Sequence, residues 1–226
     1  FYSTIHKRPV FTTSIITAEL IKVVYNTYIS SKIAFINTVM EVAHKTGADV
    51  DAVSDALSLA TERIISPKYM RGGAGDGGSC HPRDNIALSW LARKLDLSYD
   101  YFEHIMIARE KQTEWLANIL YKKQKEVQMP IVILGKAFKK ETNLTVGSPT
   151  ILLANILSEK TSNFRMYDPW VDKENFIPYK AVYFIGMNHD EFKDFKFPKD
   201  SIVIDPWAIT KKQKGVELIK IGRINE

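Results

Sequence analysis

The chain has 226 residues, of which 45% are apolar, 25% charged and 11% aromatic. These fractions exclude intrinsic disorder, and the length accommodates either one large domain or two of about 100 residues. Its formal charge of +5 favours anions in general without implying nucleic acid, and no apolar run approaches the roughly 18 residues of a membrane span.

Residues Thr17 to Thr46 read as one long helix. Leu20, Val23, Val24, Ile29, Ile33, Ile36, Val39, Met40 and Ala43 recur at roughly helical spacing with no Gly or Pro between them. Thr17 is the expected N-cap, Glu19 suits the first turn, and Gly47 is the expected stop. A helix of that length is a rod of about 45 Å, too long for one small core to cover, so a domain connector or a dimer partner is expected. Asp49 caps a shorter helix through Leu59. A glycine-rich loop follows, then a helix from near Pro82 to near Leu95 and a second long one from about Tyr99 to Lys125.

The texture changes at Met129-Pro130. Ile131–Leu134, Phe164–Tyr167, Ala181–Ile185, Ile202–Ile204 and Glu217–Ile221 are short apolar runs of strand type. A Pro149–Ser158 helix separates the first two, as in a βαβ unit. An all-helical region over 1–126 and an α/β region over 127–226 are therefore expected, with no internal repeat.

Five of the eleven glycines lie between Gly72 and Gly78, in the stretch from Arg71 to Asp84. Glycines at that density let backbone N–H groups approach and turn toward a ligand, which suits a phosphate. The only cysteine, Cys80, follows this loop just before a helix start, with Pro82 near the first position. A helix N-terminus and the neighbouring Arg83 would both stabilise a thiolate. Asp84, one turn on, could orient water or a base. The plain alternative is a loop beside an incidental buried thiol. One cysteine also excludes an internal disulfide and fits a reducing, cytoplasmic location.

Gly73, Gly75 and Gly78 match the spacing of a dinucleotide fingerprint, but no strand precedes them and no βαβ unit surrounds them. The Ile131–Leu134 run ends in Gly135, followed by Lys136, Lys139 and Lys140, a strand-to-loop phosphate site with lysines as point charges. Glu19, Lys22 and Asn26 share one helix face, most simply as a solvated stripe. The five histidines have no metal-ligand spacing with the cysteine, so no metal is expected. The lysine clusters at 122–125 and 211–214 lack the interleaved aromatics of a nucleic-acid site. A cysteine hydrolase would need a His–Asn partner at recognisable spacing, and none is evident.

Taken in order, these segments resemble the UDP-glucose/GDP-mannose dehydrogenase family, the nucleotide-sugar 6-dehydrogenases, in its middle and C-terminal domains only. The stretch from Thr17 through Lys22 to Asn26 is similar to the start of the family's central helix, and Phe35-Ile-Asn37 continues it. Lys68-Tyr-Met, Gly75, Gly77-Gly-Ser-Cys80, Pro82 and Asp84 match its nucleophile loop. Ala137-Phe-Lys139, Thr142, Ser148-Pro149 and Tyr167-Asp-Pro169 match its sugar-nucleotide domain.

The resemblance implies an all-helical dimerisation domain with a long central helix carrying the catalytic cysteine. A Rossmann-like α/β domain with a mainly parallel sheet would follow. It also implies oxidation of a nucleotide sugar at C6 by NAD, through a Cys80 thiohemiacetal and thioester, to the uronic acid. Lys22 would stabilise an oxyanion or bound water, with Asn26 as its partner and Asp84 activating water. Arg71, Gly72, Gly73, Ala74, Gly75, Asp76 and Gly77 would wrap the sugar and phosphate beside Tyr69. Lys139 would reach the nucleotide sugar, and Arg63 would serve a neighbouring subunit.

The family's N-terminal Rossmann domain, which would hold most of the NAD and a catalytic glutamate, is not in this sequence. Since the sequence begins at Phe1 rather than Met, a preceding stretch is expected; within the sequence only Arg83 is a cofactor-binding candidate. Val146 and Trp207 stand where the family usually has arginines, and Asp76 replaces a common aromatic. UDP-glucose and UDP-N-acetylhexosamines are both implied as substrates. A non-catalytic nucleotide-sugar-binding and dimerisation module is the alternative.

The position of Cys80 carries an expectation of its own. Iodoacetamide alkylation followed against pH should titrate below the free-thiol value of about 8.5. A midpoint at or above that value would identify an ordinary buried thiol.

Overall fold

A computed structural model describes residues 10–64, 72–75 and 80–222. The chain divides into two compact units, Phe1–Thr61 and Glu62–Glu226.

The first unit is built on helix α1, Ile15–Thr46, a rod of 32 residues. It starts two residues before the expected point, because Ser14 rather than Thr17 is the N-cap: the Ser14 side chain accepts from the Thr17 N–H. Glu19 accordingly lies beyond the first turn. Gly47, at φ +77°, ends the helix in a left-handed cap whose N–H reaches the Ala43 carbonyl. Helix α2, Val50–Ser58, is capped by Asp49, which accepts from the Asp51 and Ala52 N–H groups. It packs back against α1, where Ala43 is buried. Among the described side chains Ile15, Ile16, Ile21, Tyr28 and Met40 remain exposed, so the two helices do not cover one another's apolar surface.

The second unit holds α3, Cys80–Lys94, and α4, Tyr101–Val127. Next come β1, Ile131–Leu134; α5, Pro149–Ser158; β2, Phe164–Tyr167; and β3, Val182–Ile185. A single 3-10 turn at Asp190–Phe192 precedes β4, Ile202–Asp205, and β5, Glu217–Lys220. All five strands are parallel in the order β2-β1-β3-β4-β5, in register from Ile131 opposite Phe164 and Val182. Strands β1, β3 and β4 are buried throughout, which explains their continuous apolar runs: a parallel strand covered on both faces has no solvent side to alternate toward.

The two faces are covered differently. On one, Ile131, Ile133, Val182, Phe184 and Ile204 meet Leu116, Ala117 and Leu120 of α4 and Leu153, Ala154 and Leu157 of α5. On the other, Val132, Leu134, Tyr183, Ile185 and Val203 lie beneath Phe176, Phe192 and Phe197, with Phe195 packed alongside. These phenylalanines come from irregular segments and one 3-10 turn, so aromatic area does there what a helix does opposite.

The compact units divide after residue 61, whereas the composition changes near residue 127. The change of composition at Met129 marks the start of the sheet, but α4 supplies that sheet with its cover and shares its core.

Candidate functional site at the carboxyl edge of the sheet

In an open parallel sheet, ligands bind beyond the carboxyl ends of the strands, where neighbouring connections diverge. Here that edge is formed by the Gly135–Ser148 connection after β1, the Gly186 turn after β3, the Asp205-Pro206-Trp207 turn after β4, and the start of α5. The Ser148 side chain caps α5 by accepting from the Thr150 and Ile151 N–H groups. With Pro149 at the first position, the positive end of the helix dipole faces this edge.

The glycine-rich segment Gly72–Gly75 is seated on the same edge. Ala74 is buried in the core with Leu116, Ile131 and Leu153. A side chain at Gly73 would overlap the Trp207 ring, and one at Gly75 would overlap the Pro149 ring. Gly75 also takes φ +77°, which disfavours other residues. The Gln112 side-chain amide of α4 donates to the Gly73 carbonyl at 3.1 Å, and the Trp207 indole N–H donates to the Gly186 carbonyl at 3.2 Å. At these two positions, therefore, glycine answers to contact with Trp207 and Pro149, not to a phosphate. Trp207 acts as a packing plate under the loop.

The strand-to-loop turn after β1 also departs from the expected phosphate site. Its free N–H groups are taken by a side chain of the chain itself: Asp168 Oδ2 accepts from Lys136 N at 2.6 Å and Ala137 N at 2.9 Å. Asp168 Oδ1 accepts from Trp170 N at 2.8 Å, and His189 Nε2 lies 3.1 Å from Oδ2. Both Asp168 and His189 are fully buried. Gly135, at φ +107°, has no room for a side chain because Met187 covers it. A dinucleotide accordingly does not fit this turn, whose anion-binding amides and open glycine face are already filled.

The carboxyl edge contains a repeat that sequence reading missed. Asp168-Pro169-Trp170 ends β2 and Asp205-Pro206-Trp207 ends β4. In each, the aspartate accepts the N–H of the tryptophan two residues on, at 2.8 and 2.9 Å. Asp205 further accepts from Thr210 N at 2.8 Å and Thr210 Oγ1 at 2.7 Å. The repeated tripeptide was the visible signal; what it does depends on the two strands standing in one sheet.

Lys22 is exposed on α1, with Asn26 one turn further along; both belong to the first unit. Cys80 opens α3, which packs on α4. Arg83 and Asp84 pair with each other, Nε to Oδ1 at 3.2 Å, and both are largely exposed. The guanidinium is therefore shared with a neighbouring carboxylate rather than reserved for a thiolate, and Asp84 is engaged by it. Arg63 is exposed in the turn after α2, and Gly72 is exposed. Tyr69, Arg71, Asp76 and Gly77 lie outside the described residues. Lys139 is exposed in the β1–α5 connection, and Val146 is exposed farther along it. Arg109 of α4 donates to the Gly147 carbonyl at 3.1 Å, bringing a guanidinium beside Val146 that sequence reading did not foresee. Among the described residues no group of three His, Cys, Asp or Glu side chains could hold a metal, and no helix is long and apolar enough to cross a membrane.

The sheet order and the site at its carboxyl edge define a Rossmann-like α/β protein with a helical region before it in the chain. Residues 16–110 match the UDP-glucose/GDP-mannose dehydrogenase family, central domain. The chain is 32% identical over 162 residues to UDP-glucose 6-dehydrogenase TuaD of Bacillus subtilis, covering 71% of this chain and 35% of that protein. It is 30% identical over 175 residues to the UDP-glucose 6-dehydrogenase of Gallus gallus, covering 76% and 35%. On these matches the chain belongs to the UDP-glucose/GDP-mannose dehydrogenase family, and it spans about a third of the length of the curated relatives it matches. In fold it is similar to a GDP-mannose dehydrogenase from Pseudomonas aeruginosa solved as a ternary complex. That likeness has a TM-score of 0.80 at 22% identity and covers 96% of this chain and 56% of that one. A UDP-D-ManNAc dehydrogenase from Pyrococcus horikoshii follows, with a TM-score of 0.57 at 25% identity over 98% and 56%.

Asp168 yields a prediction of definite sign. Burial alone would push its carboxyl up, but the His189, Lys136, Ala137 and Trp170 hydrogen bonds outweigh it and hold the group at about 2, against an ordinary 3.8. A lowered folded-state value means the stabilisation is complete above the ordinary value and is lost as pH falls from there toward about 2. Asp168→Asn should cost on the order of 2 kcal/mol near neutral pH and blunt the loss of stability across that acid window. Urea unfolding near neutral pH and near pH 3 measures both; a variant with the parent's acid sensitivity would show that another group governs it.

Proposed function

We propose that this chain is the substrate-binding and nucleophile-bearing part of an NAD-dependent nucleotide-sugar 6-dehydrogenase that converts the C6 alcohol of a UDP-sugar to the uronic acid. The observation that carries the reading is the seating of Gly72–Gly75, the segment leading to Cys80, on the same sheet edge as the α5 N-terminus and the Lys139 connection. That edge offers a helix dipole and lysine charge to a diphosphate. In this reading residues 127–226 carry the nucleotide half of the site, and the helical residues 1–126 carry the chemistry and the dimer contact.

The Cys80 thiolate adds to the C6 aldehyde, forming a C–S bond whose oxyanion Lys22 stabilises, with Asn26 orienting the lysine. After the second oxidation, water attacks the resulting thioester, the C–S bond breaks, and the thiolate leaves as the carboxylate forms. Asp84 receives one proton of that water once released from Arg83, and the second passes to solvent as the new carboxyl group ionises. The nicotinamide cofactor supplies the oxidising power when bound, and the resemblance assigns it to an N-terminal Rossmann domain. Tyr69, Arg71, Asp76 and Gly77 complete the sugar pocket, Arg63 reaches a neighbouring subunit's site, and Arg83 lies toward the cofactor. UDP-glucose and a UDP-N-acetylhexosamine are the competing substrates. Because Asp168 and Met187 fill the β1 turn, residues 1–226 by themselves also fit the second reading, a nucleotide-sugar-binding module that dimerises.

Calorimetric titration of this chain with UDP-glucose and with a UDP-N-acetylhexosamine should show saturable binding, whereas NAD should bind undetectably and no NADH should form. Reduction of NAD by the chain alone would refute the assignment of the cofactor. Absence of binding by either sugar nucleotide would remove the substrate reading.

The exposed apolar side chains of α1 support a homodimer in which two copies of that helix pair, the commonest symmetric arrangement. Sedimentation at micromolar concentration should give a dimer; a monomer would count against it.

A further inference from the structure

Asp168 and His189 are both fully buried, and nothing in the proposed chemistry uses them. Their hydrogen bonds nonetheless converge on one segment. Asp168 holds the N–H groups of Lys136 and Ala137 at the start of the β1–α5 connection. His189 holds the same connection four residues on, where the Glu141 N–H donates to Nδ1 at 3.2 Å. Since Nδ1 accepts, the ring proton resides on Nε2, which donates it to Asp168 Oδ2 at 3.1 Å. The imidazole is fixed further by Trp170, stacked at 6.5 Å, and by the edge-on ring of Phe192 at 5.5 Å.

Between these fixed points stand Lys139 and Lys140. Lys140 is taken up by carboxylates, at 3.2 Å from Glu141 and 3.8 Å from Asp190. Lys139 is exposed and among the described residues makes no ion pair. Glu141 itself is held at φ +57°, a left-handed conformation that a non-glycine residue keeps only where its surroundings impose it. The bond from its N–H to His189 is such an imposition.

We propose that His189 is a positioning residue: the Asp168–His189 pair clamps residues 136–141 at both ends and so presents Lys139 to the diphosphate of the nucleotide sugar. The proposal rests on the reading of Lys139 as a substrate contact given above. A lysine on an unclamped loop keeps its charge but must be ordered at the moment of binding, which weakens the contact.

The test is a double-substitution cycle on the full chain, read as the dissociation constant for UDP-glucose by calorimetry. Lys139→Ala should weaken binding about tenfold, as should His189→Leu, which removes both ring bonds. His189→Gln, whose amide can still accept from Glu141 and donate to Asp168, should restore most of the affinity. His189→Leu should add little to Lys139→Ala, because its effect passes through that lysine; a merely structural histidine would weaken both backgrounds by the same factor. That equal factor, or an unaltered constant in His189→Leu while Lys139→Ala binds weakly, would overturn the proposal and leave the reading of Lys139 intact. An unaltered constant in Lys139→Ala would remove that reading and the proposal with it. Should His189→Leu fail to fold, amide hydrogen exchange on the unsubstituted chain decides. Saturating UDP-glucose should slow exchange at Glu141 by about fivefold or more, and unchanged exchange would overturn the clamp.

Discussion

The carboxylate of Asp168 is the interaction on which the carboxyl edge depends. A parallel strand that ends at a turn leaves N–H groups pointing beyond the sheet, and buried donors of that kind must be satisfied. Asp168 reaches across from β2 to the turn after β1, takes two of them, and uses its remaining capacity on Trp170 and His189. Lys136 strengthens the arrangement from outside, its ammonium 2.6 Å from Asp172, which in turn accepts the Asp168 N–H at 2.8 Å. A charged group thereby serves as the junction between two strands and the loop that follows one of them.

The same device at β4 has a different outcome. The Asp205 carboxylate closes its turn with Trp207 and Thr210, its backbone carbonyl accepts the Ile221 N–H beyond β5 at 3.2 Å, and it fixes the backbone from which the Trp207 ring projects. That ring lies against Gly73 and bonds the Gly186 carbonyl. One aspartate turn thus shapes the basic connection, and the other supports the glycine-rich segment that leads to Cys80. The two halves of the proposed sugar-nucleotide site are set by twin tripeptides on strands with two others between them in the sheet.

Much of the local structure was legible in the residues. The strands Ile131–Leu134 and Phe164–Tyr167 and the helix Pro149–Ser158 lie where their composition put them, because a Pro at a helix start and a short apolar run between turns are local signals. Asp49 and Gly47 bound their helices for the same reason. The cap at Ser14 was misplaced since Ser14 and Thr17 are chemically equivalent acceptors three residues apart, and their side chains in fact bond each other at 2.8 Å. The expected limit near residue 127 follows composition, whereas compact packing divides the chain after residue 61. Composition records where strands begin, but α4 belongs to whatever buries Leu116, Ala117 and Leu120, and that is the sheet.

The sequence by itself determined the family, because the residues that carry the resemblance sit in short runs whose order survives without coordinates: Lys22 and Asn26 on one helix, the glycines before Cys80, Lys139 after Ala137. It also determined which segments become helix and strand. Only the tertiary structure decided what those residues touch. That Gly73 and Gly75 yield to Trp207 and Pro149, and that Asp168 fills the turn a phosphate would otherwise use, are contacts between residues tens of positions apart. So are the bond from His189 to Glu141 and the covering of a sheet face by four phenylalanines. Spacing along a chain fixes which side chains share a helix or strand face, whereas these pairings depend on strand order and register, which exist only once the sheet has formed.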